Sequence, residues 1–292
     1  VPNTYYPRKA GEENFALAFV IPMNAPGLSI LARESFHHGQ GRFDRPLSSR
    51  FDEGDAILMF DRVLVPHERM IVDGDLAAYN SMINARPGYT GIQACTRSTM
   101  KLRFLAGMAT AIARANGRDK NPRFQAAIGE LIGLISVAEG IRLGAMAEGQ
   151  RRVEAYAAGK LAVEGDGLGE AAAVGSASGG AINFFFPYAN TKAADVLRLA
   201  AGSGVLAMTA GDYAHPDVGP LMDQWLIGPG IEAKQRLELM KLAWDMTGTE
   251  FGSRAGLYER LYSGDPEANA QRWFRSPITK ECEALVKRLL ES

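Results

Sequence analysis

A chain of 292 residues, 47% of them hydrophobic, can bury a sizeable core as one large domain or two smaller ones, so it needs no disulfide or structural metal to hold it together. Its 32 basic and 33 acidic residues leave a formal charge of −1 and are spread along the chain. With no basic stripe to neutralise a phosphate backbone, nucleic acid is excluded as a natural partner.

The first fifteen residues, VPNTYYPRKAGEENF, lack the apolar centre of a signal peptide. No run reaches the roughly 18 apolar residues that a membrane span needs, so a soluble, cytoplasmic protein is expected. The chain opens on Val rather than Met, the mark of a processed, cut or incomplete sequence. Up to residue 78, short apolar runs such as Phe15–Ile21 and Leu28–Ala32 are broken by Pro22, Pro26-Gly27 and Gly39-Gln40-Gly41, the punctuation of strands and turns. His37-His38 falls in one such turn, and with no third ligand at a convincing spacing it reads as a loop pair; no metal is expected. A β segment this short has few strands with which to close a sheet. Its partners are expected from upstream sequence, from another subunit or from the helical part. The segment ends at Pro66-His67, where the chain turns or stays extended. A histidine on such a loop can take a phenolic or alcoholic proton near neutral pH, although a plain surface histidine is the commoner case.

Beyond residue 78 alanine and leucine dominate and apolar positions return at helical spacing. The spacing predicts helices near 88–116, 122–160, 188–201, 231–256 and 279–291, with Asn121-Pro122 as a cap and first-turn pair. Loops are expected at 165–169, 202–204 and 214–220. In the first helix Gln93, Arg97 and Lys101 recur every four residues, opposite Ile92, Cys95, Leu102, Leu105 and Ala109. Such a stripe is ordinarily a solvated face. It also suits an anion such as a cofactor pyrophosphate, Arg giving a bidentate fork and Gln a neutral donor. GSASGG at 175–180 has no Lys-Ser/Thr after it and no clear strand before it, so it reads as a turn rather than a phosphate loop. GSG at 202–204 reads as a helix-ending glycine. Cys95 and Cys282 lie outside any CxxC spacing, which argues against a zinc site, an iron–sulfur cluster or a disulfide framework and fits a reducing compartment.

Longer blocks carry more. GEENFALAFVIPMNAPGLSILARE (11–34), SRFDEGDAILMFDRVLVPHER (49–69), KLRFLAGMA (101–109), GPGIEAKQRLELMKLAWDMTGTEFGSR (228–254) and LYERLYSGDP (257–266) follow one another over nearly the whole chain. In content and order they resemble the 4-hydroxyphenylacetate 3-monooxygenase oxygenase component family. The resemblance implies a mainly α, acyl-CoA dehydrogenase-like fold: an N-terminal helical domain, a middle β domain and a C-terminal four-helix bundle, usually in a homotetramer. On that pattern residues 1–78 are a partial middle β domain, 79–292 are the C-terminal helical bundle, and the N-terminal domain is lacking.

The resemblance also implies a phenol monooxygenase. Reduced FAD comes from a separate flavin reductase and reacts with O2 to a flavin hydroperoxide, which hydroxylates a phenolic substrate in a pocket kept dry. Matched residue by residue, Thr249, Glu250, Phe251 and Gly252 are implied flavin contacts. Gln93 and Arg97 are implied phosphate contacts, reaching a neighbouring subunit's flavin. His67 stands where many relatives carry Trp and is the implied base. Two alternatives stay open: a non-catalytic helical assembly module from a truncated or split member, and a 4-hydroxybutyryl-CoA dehydratase-like enzyme, for whose cluster Cys95 and Cys282 alone are too few.

Overall fold

The computed structural model describes residues 8–84, 89–158, 177–206, 208–262 and 266–291. These fall into two compact units, one made of Val1–Glu34, Glu53–Thr90 and Glu148–Ala177, the other of Ser35–Asp52, Gly91–Ala147 and Ser178–Ser292.

In the first unit the strands form two antiparallel ribbons: β1 (Leu17–Phe19) pairs with β4 (Met70–Asp73), and β2 (Leu28–Ala32) with β3 (Ala56–Phe60). Leu28 faces Phe60 and Ala32 faces Ala56, and the ladder runs on as the Arg33 N–H donates to the Asp55 carbonyl at 3.1 Å. Gly27 opens this ribbon at φ +86°, and a Cβ there would stand 2.3 Å from the Asp61 carbonyl oxygen, so only glycine fits. β1 and β4 slip register between Ala18 and Phe19, a bulge. Ala16 and Val72 pack with Tyr79 of α2 (Leu76–Asn84) into a small core. All five β3 residues are exposed, so the shortage of strands expected for this segment is visible in a ribbon that buries little by itself.

The second unit is helical. α1 (Ser48–Phe51) is a single turn; α3 (Tyr89–Ala115), α4 (Pro122–Ala157), α5 (Ala177–Ala201), α8 (Ala233–Thr247) and α9 (Glu250–Leu261) are longer. α6 (Ala210–Ala214), α7 (Gly219–Trp225), α10 (Pro266–Phe274) and α11 (Pro277–Glu291) complete the order. Leu102, Leu105 and Ile112 of α3, Leu131 and Ala138 of α4, Ile182, Phe186 and Leu197 of α5, and Met240 and Ala243 of α8 share one core. By length and composition alone α4 could also cross a membrane over Pro122–Ala155. Here it buries Phe124, Leu131, Ile135 and Ala138 in the bundle, and Glu130 and Glu139 pair with Lys192, Arg103 and Arg142.

Four expectations are corrected. α5 starts at Ala177, not at 188, and carries Pro187 inside it. The buried face Ile182, Phe186, Ala189 and Ala193 continues across the proline, so packing outweighs the lost backbone bond. Ala177–Gly180, expected as part of a turn, is therefore the first turn of this helix. The single helix expected over 231–256 is two, α8 and α9, because Gly248 ends one and Thr249 caps the next. α7 begins inside the loop expected at 214–220, and α2, α6 and α10 were not foreseen, being too short to show a convincing helical period. Gly202 follows α5 at φ +57°, the helix-ending glycine expected there. The loop expected at 165–169 lies outside the described residues. Mainly α with a partial β segment is the fold class.

Candidate functional site

The sharp junction between α8 and α9 builds the site. Thr249 caps α9, its Oγ1 accepting the Gly252 N–H at 3.3 Å and donating back to Asp245 at 3.0 Å. The turn is so tight that a Cβ on Gly252 would meet the Met246 carbonyl carbon at 2.5 Å, and one on Gly248 would meet the Trp244 ring at 2.1 Å. Asp245 is wholly buried. It also accepts the Leu47 and Ser48 N–H groups at 2.8 Å each and the Ser48 hydroxyl at 3.1 Å. One turn earlier Lys241 pairs with Asp44 at 3.4 Å, and Asp44 accepts the Ala210 N–H at 3.1 Å. Residues 35–52 are thus fastened to α8 at two successive turns.

That fastening brings Arg45 and His38 to the start of α9. Arg45 Nη1 stands 3.5 Å and His38 Nε2 3.7 Å from the Glu250 carboxylate, and the Arg45 Nε–H donates to Gln40 at 2.7 Å. Glu250 is held below the ordinary carboxylate range, first by its own backbone N–H and then by the charges of Arg45 and His38. Arg45, Trp244, Gly248, Thr249, Glu250 and Ser253 line a cavity of about 540 Å³. Arg45 Nη1 is buried, and the Glu250 carboxylate at 3.5 Å is its ion-pair partner.

The structure sorts the residues singled out from sequence. Thr249 and Glu250 line the cavity. Phe251 packs against the bundle core, and Gly252 lets α9 start hard against Met246. Gln93 is exposed, whereas Arg97 and Lys101 of the same stripe converge on the buried Glu259. Arg97 Nη1 reaches both its oxygens at 2.5 and 2.6 Å, and Lys101 Nζ reaches one at 2.8 Å. The Arg97 guanidinium also lies 5.1 Å from the Tyr262 ring centre and 5.7 Å from that of Phe186. His67 is exposed at the head of a single 3-10 turn after Pro66. Sequence reasoning missed Arg45, Asp44, Lys241, Asp245 and Glu259. Its available clue was Lys241 and Asp245, two charges four residues apart on a helix face that is otherwise apolar.

Residues 85–291 match the family profile described as 4-hydroxyphenylacetate 3-hydroxylase C terminal, and residues 1–72 the one described as 4-hydroxyphenylacetate 3-hydroxylase N terminal. The chain belongs to the 4-hydroxyphenylacetate 3-hydroxylase family. The N-terminal match corrects the expectation that the family's N-terminal domain is lacking, since the strands and turns before residue 72 are themselves what that profile describes. Among the family's members, the 4-hydroxyphenylacetate 3-monooxygenase oxygenase component of Thermus thermophilus is 32% identical over 97% of this chain and 57% of its own length. The oxygenase component of 4-nitrophenol 2-monooxygenase from a Rhodococcus species is 34% identical over 88% and 48%. The chain therefore spans about half the length of the curated relatives it matches. A solved oxygenase component of 4-hydroxyphenylacetate 3-monooxygenase, complexed with FAD and 4-hydroxyphenylacetate, is alike in structure at a TM-score of 0.78 and 28% identity, over 97% of this chain and 58% of that one. An archaeal 4-hydroxybutyryl-CoA dehydratase from N. maritimus reaches a TM-score of 0.71 at 20% identity over 98% of this chain and 55% of that one, a likeness of fold alone. The acyl-CoA dehydrogenase-like architecture expected from sequence stands.

Proposed function

We propose that this chain serves as the oxygenase component of a two-component monooxygenase that hydroxylates a phenolic substrate with O2 and reduced FAD, the flavin coming from a separate reductase. The reading is carried by the ordered match of both family profiles, 1–72 and 85–291. Reduced flavin, when bound, supplies the electrons that activate O2 for insertion into an aromatic ring. The cavity at the α9 N-terminus fits such a group: its volume is in the range of small-molecule sites, and Arg45, Glu250 and Ser253 put charged and polar groups on its wall. Arg45 and Ser253 would donate to ligand oxygens, and Glu250 would accept from a hydroxyl or amino group. Trp244 offers an apolar ring edge that keeps water away from one wall.

Gln93 and Arg97 are the proposed phosphate contacts. Arg97 and Lys101 set two positive charges against the single charge of Glu259, and Arg97 Nε is buried without an acceptor. His67 is the proposed acceptor of the phenolic proton. Residues 1–78 as part of a middle β domain, a homo-oligomer of two or four chains and a cytoplasmic setting belong to the same reading. Exposed Ile132, Val137, Leu143 and Met146 along α4 support the oligomer.

Anaerobic titration with reduced FAD, followed by mixing with O2 and a panel of phenols, tests the proposal. Saturable binding, tighter for reduced than oxidised flavin, and a catechol product are expected. The His67→Ala variant is expected to keep flavin affinity but to form less product per O2 consumed; unchanged coupling would remove His67 from the mechanism. Absence of flavin binding would favour a second reading, a helical assembly module, which draws on the same exposed apolar faces. The dehydratase reading has less behind it: Cys95 and Cys282 are too few for the ligands of its cluster.

A further inference from the structure

Helix α11 buries none of its fifteen residues, PITKECEALVKRLLE. Yet Ile278, Cys282, Leu285 and Leu289 follow one another at spacings of four, three and four, which draws a single apolar stripe along one face. Leu285 is 56% and Leu289 77% exposed, and Val286 beside them 58%. Glu281 and Arg288, seven residues apart, flank the stripe on the same side, and neither has an ion-pair partner among the described residues. The Lys287 to Glu291 pair, at 3.6 Å, involves the other charges of the last turns.

We propose that α11 is a self-association element that pairs antiparallel with α11 of a second copy of this chain. The charge pattern chooses both the occupant and the direction. About a two-fold axis every contact occurs twice, residue i meeting j and j meeting i. Run antiparallel, Cys282 lies across from the second copy's Leu285, and Ile278 across from its Leu289. Glu281 then falls beside the second copy's Arg288, and Arg288 beside its Glu281, so that one flank of the seam carries two matched pairs of opposite charge. A parallel pair would set Glu281 beside Val286 and leave the charge unmatched. Four apolar layers are too few to hold isolated peptides together, so the pairing belongs to the whole chain.

The inference rests on the homo-oligomer reading, and the test separates the two. Leu285→Cys in the full chain places a second thiol opposite the Cys282 of the other copy. Diamide then takes the two electrons and two protons released as the S–S bond forms. Non-reducing electrophoresis is expected to show several-fold more covalent dimer for Leu285→Cys than for Ala284→Cys, whose thiol lies off the seam. Sedimentation velocity is expected to show Glu281→Arg and Arg288→Glu each weakening association, and the double exchange restoring it. An oligomer that shows neither the preferential crosslink nor the charge rescue would overturn the α11 pairing and leave self-association standing. A chain that sediments as a monomer would overturn both.

Discussion

Replacing Asp245 by alanine tests the architecture most directly. The carboxylate is fully buried and accepts two backbone N–H groups, from Leu47 and Ser48, and two hydroxyls, from Ser48 and Thr249. Its removal strands three donors in the core, while the Thr249 hydroxyl keeps the Asp245 backbone carbonyl at 3.0 Å. Each buried donor left without an acceptor costs about 1–3 kcal/mol. The three act through one group, so their costs do not simply add, and escape from desolvation of the charge offsets part of the loss. About 4 kcal/mol is the expected net loss, in line with breaking other buried charge networks. Asp245→Asn keeps one acceptor oxygen but turns an amide donor toward the same N–H groups, for about half that loss. Urea unfolding followed by far-ultraviolet circular dichroism reads both. Thr249→Val, alone and combined with Asp245→Ala, supplies the coupling between the clasp and the α9 cap. A loss under about 1 kcal/mol for Asp245→Ala, the size of an ordinary surface change, would refute the idea that this carboxylate fastens residues 35–52 to α8.

Gly248→Ala drives a Cβ to within 2.1 Å of the Trp244 ring; a loss of about 1–3 kcal/mol and a shifted indole emission are expected in thermal unfolding and fluorescence. Glu259→Ala leaves Arg97 and Lys101 facing each other without their shared anion, and a loss of about 3–5 kcal/mol is expected by the same unfolding assay. Glu250 has its carboxyl lowered, so its contribution to stability is fully present above the unfolded value of about 4.3 and fades as pH falls through the lower folded one. Glu250→Gln should accordingly flatten the acid limb of the stability profile below that value, as read by urea midpoints at stepped pH; an unchanged limb would deny the Arg45 and His38 contacts any electrostatic role.

The long helices were legible because their pattern and their packing agree. Leu102, Leu105 and Ala109 recur on one face of α3, and that face is the one buried. Pro187 misled because a proline is a local stop signal, while the run of Ile182, Phe186, Ala189 and Ala193 that overrides it extends over about three turns. The α8 to α9 break was hidden by apolar positions that continue through it, Met240, Ala243 and Met246 before and Phe251 after. Of the candidate site, Thr249 and Glu250 could be named through family resemblance. Asp44 and Arg45 could not, since FDRP reads locally as a turn and their partners stand some 200 residues on. His38 was weighed as a metal ligand and set aside, whereas its neighbour is the Glu250 carboxylate.

The distance along the chain between the two halves of the Asp245 clasp also governs when it can form. Leu47 and Asp245 are 198 residues apart. At a synthesis rate of about 5–20 residues per second, residues 35–52 wait about 10–40 s after emerging from the ribosome before their acceptor exists. Throughout that interval the N–H groups of Leu47 and Ser48 can bond only to water, and Arg45 has no Glu250 to meet. The cavity wall therefore cannot close until the α9 start is made, and a nascent chain stalled before residue 245 would hold Arg45 and Trp244 but neither the Asp245 acceptor nor the Gly248–Ser253 side of the wall.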